Sequence, residues 1–180
     1  MRHDGPLDIT RLGPDDHADV VALFAGIPTG EHVFFKETIS DPRVVQDWLG
    51  DARGCWLVAR LSGILVGVAA VVPGHGWSQH VGELRMIVSP AQRSQGIGAV
   101  LARRSLQSAV DLGLEKVTVE ALAEQQGVID LFRGLGFVPE ALLADQVRDA
   151  EGAVHDLIVL SHPVQGAWGQ LDAVGADELA

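Results

Sequence analysis

Apolar and polar residues alternate, or apolar ones cluster in short runs, over Leu7 to Leu12, Trp56 to Arg60, Ile64 to Val72, Glu83 to Val88, Lys116 to Ala121, Phe137 to Leu142 and Val154 to Leu160, which predicts seven strands. Between them the spacing changes to steps of three and four. Val20, Val21, Leu23 and Phe24 follow Pro14-Asp15-Asp16 and predict a first helix that ends in the break from Gly26 to Gly30. A second helix is predicted over Pro42 to Leu49, with Asp41 as its N-cap and Pro42 at its first position. Ile97, Leu101, Ala102, Leu106, Ala109 and Val110 form one face of a third, and Gln125 to Arg133 a fourth. Leu61-Ser62-Gly63 should close a hairpin between the second and third strands. The resulting order, βααβββαβαββ, is a mixed α+β arrangement rather than a strict βα alternation. From Pro163 the sequence PVQGAWGQLDAVGADELA loses period, so residues 1–162 are expected to form one domain and 163–180 a mobile tail in which Trp168 could dock.

Length fits this single domain: 180 residues support one substantial core. A net charge of −11 disfavours nucleic acid as a partner, since phosphate neutralisation demands basic surface, and is compatible with a cationic substrate. No apolar run is long enough for a membrane helix, and MRHDGPLDIT lacks the apolar core of an export signal, so a cytoplasmic chain without a membrane partner is expected. A lone Cys55 excludes an internal disulfide and a thiolate metal cluster. Within Cys55-Trp56-Leu57-Val58 it reads as strand core. His75, His80 and His155 have no short ligand spacing, so no metal site is expected.

Glu83 to Leu101, ELRMIVSPAQRSQGIGAVL, carries the most chemistry. Leu84, Met86, Ile87 and Val88 favour a strand that Pro90 ends near Ser89, and the helix from Ile97 places Gly96 and Gly98 at a helix start. Unpaired N–H groups of the first turn and the positive end of the helix dipole favour an anion there, and Arg93 adds a permanent cation. The stretch therefore reads as a pyrophosphate cradle. No G-x-x-x-x-G-K-[ST] occurs, and Leu101 replaces the third glycine of G-x-G-x-x-G, so P-loop and Rossmann binding are unsupported.

That loop, the element order and the later segment QQGVIDLFRGLGF from Gln125 to Phe137 together resemble the GCN5-related N-acetyltransferase superfamily over roughly residues 7–161. One motif, [QR]-x-x-G-x-[GA], is met by Arg93, Gly96 and Gly98. A second, L-[YF]-x-x-x-G-F, is met by Leu131, Phe132, Gly136 and Phe137. The resemblance implies a mostly antiparallel sheet splayed between its fourth and fifth strands with helices on both faces. It implies acetyl-CoA as co-substrate, with the pyrophosphate on Arg93, Ser94, Gln95, Gly96, Ile97, Gly98 and Ala99. The pantetheine would bond to Met86, Ile87 and Val88 in the splay, with Gln125 near it where many members have Asn. The family's common thiolate-protonating Tyr corresponds to Phe132, and the chain has no tyrosine.

Transfer to a primary amine, whether of a small molecule or a peptide, first requires loss of the ammonium proton. An amine of pKa near 10.4 is neutral in only ~0.04% of molecules at pH 7. Glu83 is the candidate base: it shares a strand face with Arg85 and Ile87, and a carboxylate on a central strand is costly unless it meets a partner, water or a cleft. Its alternative role is a structural ion pair with Arg85 or His80. A raised pKa or an intervening water would be needed for it to serve. Carbonyl polarisation is expected from a backbone N–H near Ile87 or Val88, and Ser89, Ser105 or a water could protonate the thiolate. Glu31, Asp145 and Asp149 are candidates to attract an ammonium. Trp56, Trp77 and Trp168 could bury a homodimer interface. The rival to an enzyme is a non-catalytic acyl-CoA-binding or regulatory module that kept the cradle and lost the acid.

Overall fold

A computed structural model describes residues 5–34 and 36–164. Strands β1 (Leu7–Arg11), β2 (Cys55–Leu61), β3 (Ile64–Pro73), β4 (Val81–Val88), β5 (Lys116–Leu122), β6 (Val138–Arg148) and β7 (Val154–Pro163) form one sheet in the order β1-β2-β3-β4-β5-β7-β6. Every neighbouring pair is antiparallel except β4 and β5. Helices α1 (His17–Ala25) and α2 (Arg43–Gly50) cover one face; α3 (Ile97–Asp111) and α4 (Gln126–Gly134) cover the other. Ser62 and Gly63, with φ of 50° and 84°, close β2 onto β3 in the two-residue geometry that matches strand twist.

The predicted order is found in full, with local differences. Pro14–Asp16 form a 3-10 turn before α1 rather than its first turn. Pro42, rather than Asp41, is the N-cap of α2, which begins at Arg43, while Asp41 Oδ1 accepts the Arg43 N–H at 3.0 Å from just outside the helix. β6 continues through Ala144 to Arg148, past a register shift between Leu143 and Val147, where a loop was expected. The tail boundary also moves: Pro163 pairs with Lys116, and Val164 is buried with its N–H on Glu115 O at 2.8 Å. Trp168 and the rest of the expected tail lie outside the described residues.

Alternation along β4 and β5 builds two cores. Leu84 and Met86 on β4, with Val117 and Val119 on β5, face α3 and α4 among Leu106, Ile129, Phe132 and Phe137. Ile87 points the other way, into a cluster with Val20, Phe24, Val45, Trp48 and Trp56 under α1 and α2. Trp48 and Trp56 stack with centroids 4.4 Å apart. Trp56 is therefore a core residue and unavailable to a dimer interface, whereas Trp77 is 95% exposed. Cys55 is buried in β2 as expected.

Leu84 sits where β4, β5 and α3 meet, and it is 1% exposed. Leu84→Ala is expected to cost about 2–5 kcal/mol, seen as a lower urea midpoint with an unchanged denaturant slope.

Candidate active site

Pairing between the two central parallel strands stops early. Val81↔Lys116, Gly82↔Val117 and Glu83↔Thr118 are matched, and nothing beyond them is. Which backbone groups this leaves unmatched follows from strand alternation. Val81 O accepts from Gly74 and Ser89 N–H donates to Val66, so odd-numbered β4 residues direct their peptide groups toward β3. Those of Leu84, Met86 and Val88 point toward β5, and beyond the last matched pair Met86 and Val88 face the gap. On β5 the amide of Ala123 and the carbonyl of Glu115 are bound on the β7 side, so Glu120 and Leu122 face the gap from across it. Gln125 is committed there, its Oε1 accepting the Leu122 N–H at 2.9 Å.

Residues 90–96 join the gap to α3. Ser94 and Gly96 both adopt left-handed backbone, with φ of 61° and 85°. Residues in that conformation can turn successive N–H groups toward one point, which is how short loops cradle anions. Gly96 has nothing within 4 Å of a built Cβ, so its glycine serves the backbone angle; at Gly98 a Cβ would meet Met86 Cε at 3.2 Å, so that glycine serves the packing of α3 on β4. Arg93 donates from Nε to Val88 O at 3.2 Å and from Nη2 to Glu31 Oε2 at 2.5 Å. Ile97, the first residue of α3, is buried against the sheet, and Gln95 donates to Gln92 Oε1.

A charged network lies on the α1/α2 face at the closed end of the gap, where β4 and β5 part. Arg85 grips Glu83 with two N–H groups, Nε to Oε1 at 2.9 Å and Nη2 to Oε2 at 3.0 Å, and also donates to Glu37. Lys36 Nζ lies 3.0 Å from Glu83 Oε2 and 2.9 Å from Glu120 Oε2. Burial pushes the Glu83 carboxyl up, but the Arg85 and Lys36 cations outweigh it and hold it below the ordinary value. For Lys36, burial pulls the ammonium down while Glu120 and Glu83 raise it further, so the balance lies above the ordinary value. The raised pKa sought for a Glu83 base is absent, and its Arg85 ion pair is present.

Comparison with known proteins adds the family. Residues 24–137 fit the model of the acetyltransferase (GNAT) family. The chain belongs to the GNAT family. N-acetyltransferase 8F1 of Rattus norvegicus is 31% identical over 121 residues, 66% of this chain and 54% of that protein. A mycothiol acetyltransferase of Arthrobacter sp. is 32% identical over 98 residues, 53% of this chain and 30% of that one. The chain thus spans about half or less of the curated relatives' length. Among solved structures, a putative acetyltransferase from Salmonella typhimurium with its cofactor acetyl-CoA superposes with TM-score 0.77 at 19% identity, covering 89% of this chain and 95% of that one. A ribosomal-protein-alanine N-acetyltransferase from Brucella melitensis gives 0.76 at 22%, covering 87% and 99%.

Several expected site residues of this GNAT chain lie elsewhere. Phe132, an expected cofactor contact, is 1% exposed with its ring edge-on to Phe137, so it is core. Ser105 is fully buried and bonded to Leu101 O at 2.9 Å, which removes it as a proton donor. Ile87 keeps its side chain in the α1/α2 core and its peptide toward β3. Glu31 pairs with Arg93 rather than joining the Glu83 network, Asp149 pairs with His155 at 3.0 Å, and Asp145 donates its N–H to Asp156. Lys36, Glu37 and Glu120 were missed. Glu120 had a readable signal, an acidic residue in the alternation Lys116, Thr118, Glu120 of a central strand; Lys36 and Glu37 lie in a stretch without period.

The network implies a pH signature. Because the Glu83 pKa is depressed on folding, its contribution is present above the unfolded value of 4.5 and lost as pH falls through the lower folded value. Glu83→Gln is expected to destabilise by about 1–3 kcal/mol near neutral pH, with the deficit shrinking in acid, measured as urea midpoints near pH 7 and near pH 3.

Proposed function

We propose that this chain is an acetyl-CoA-dependent N-acetyltransferase that passes acetyl directly to the primary amine of a small molecule or a protein lysine. The observation that carries the reading is the β4–β5 gap, with unmatched strand edges inside it, the Ser94–Gly96 cradle at one end and Glu83 with Glu120 at the other. The residues present fit acetyl-CoA. Its pyrophosphate would lie on the backbone from Arg93 to Ala99, with Arg93 exchanging Glu31 for phosphate. The pantetheine would add as a strand partner along Met86 and Val88, with Ile87 behind them holding the strand. When bound, acetyl-CoA supplies a thioester whose thiol, with a pKa near 8.5, departs at neutral pH without a strong acid.

The chain's own groups then have distinct tasks. A gap-facing N–H of Met86 or Val88 polarises the carbonyl, where a fixed donor is worth most in a water-poor site. Glu83 and Glu120 orient the acceptor's ammonium. With its depressed pKa Glu83 cannot store the proton, so it passes it to solvent water rather than keeping it, and the rate rises with pH as the neutral amine becomes more abundant. The absence of tyrosine, with Phe132 in the core, favours a second reading, an acyl-CoA-binding module without turnover.

Thiol release from acetyl-CoA against polyamines, amino acids, aminoglycosides and lysine peptides separates the two. Turnover with at least one amine is expected, rising between about pH 6 and 9, with Glu83→Gln lowering kcat by about 10²-fold or more and leaving the KM for acetyl-CoA nearly unchanged. Acetyl-CoA binding without transfer to any amine supports the second reading; a rate flat in pH removes Glu83 from proton transfer.

A further inference from the structure

We infer that Lys36 is an internal occupant of the acceptor's ammonium position, and that an acceptor enters by exchanging its own ammonium for that of Lys36. The inference rests on the N-acetyltransferase reading only for which end of the gap receives the acceptor. Position comes first. Glu83 belongs to the last matched pair of β4 and β5, and Glu120 is the next residue on the same face of β5 beyond that pair. Lys36 Nζ bridges the two at 3.0 and 2.9 Å, so a primary ammonium already sits over the point where the strands part.

Charge supplies the second argument. Glu37, Glu83 and Glu120 face two cations, Arg85 and Lys36, and Arg85 is already engaged with Glu83 and Glu37. If Lys36 leaves, three carboxylates share one guanidinium, and Glu120 loses the only ion-pair partner it has among the described residues. Uncompensated, half-buried carboxylates are costly. A cationic amine restores the balance, whereas an alcohol or a thiol of the same size leaves it broken. The exchange thus selects nitrogen acceptors over oxygen or sulfur ones at the binding step.

Mobility and reactivity agree. The Lys36 side chain is 48% exposed and can swing into water, while those of Glu83 and Glu120 are 20% and 26% exposed on the sheet and stay in place. The two carboxylates also keep Lys36 protonated, without a lone pair for attack, so it holds the place of an acceptor without being one. Because the native occupant must leave first, every acceptor's apparent affinity is reduced by the fraction of molecules in which Lys36 is in place.

The test uses n-butylammonium, which is the lysine side chain cut free, and n-butanol, its neutral counterpart, titrated into the full chain without acetyl-CoA and read from the amide shifts of Glu83, Thr118 and Glu120. Lys36→Ala is expected to bind n-butylammonium about tenfold more tightly than wild type, the worth of two partly exposed ion pairs. Lys36→Arg should behave as wild type, and n-butanol should not distinguish the three. Equal n-butylammonium binding by wild type and Lys36→Ala, no binding by either, or equal gains for the alcohol would overturn the inference. The readout needs no turnover, so a failure of acetyl transfer in the amine panel and a failure here are separate results.

Discussion

The structure turns on the loss of hydrogen bonding between β4 and β5 after three matched residues. A parallel pair in mid-sheet would normally continue, because unmatched peptide groups away from water cost free energy. Here the peptide groups of Met86 and Val88 look across at those of Glu120 and Leu122 without meeting them. Each strand is held by its outer neighbour, β4 by β3 over seven residues and β5 by β7 over seven, so the divergence does not undo the sheet. α3 begins just beyond the end of β4, after the left-handed turns at Ser94 and Gly96.

Around the gap, charge is arranged for binding rather than for storing protons. A base that must hold a proton from an amine needs a raised pKa, which burial alone would give Glu83. Arg85 reverses the effect with two direct hydrogen bonds and a full charge at close range. Glu83 is consequently an anion throughout the neutral range, and it holds the Lys36 ammonium at 3.0 Å. The same preference for a permanent cation explains why Lys36 settles between Glu83 and Glu120. Charge balance thereby ties Glu83 and Glu120 to a residue that lies far from both in the sequence.

Most of the fold was legible because the elements that matter pack on one face or one stripe. Strand alternation placed Glu83, Arg85 and Ile87 on one face of β4, and the helix expected over Gln125 to Arg133 is found as α4, Gln126–Gly134. The motif resemblance pulled Phe132 toward the cofactor, and packing kept it in the core. β6 beyond Leu142 escaped because an edge strand exposed on both faces shows no alternation to read. Lys36 and Glu37 escaped for a different reason: they come from a stretch between α1 and α2 with neither period, and only tertiary contact brings them to β4 and β5. The cradle was legible as a motif, but the division of labour between Gly96, which sets the backbone, and Gly98, which admits Met86, was not.

Residue-resolved amide hydrogen exchange with and without acetyl-CoA tests the central claim most directly. If the gap receives the pantetheine as a missing strand, the amides of Met86 and Val88 become strongly protected on binding, while those of Arg85 and Ile87, already turned toward β3, change little. Tight binding of acetyl-CoA with no change at Met86 and Val88 would contradict the account.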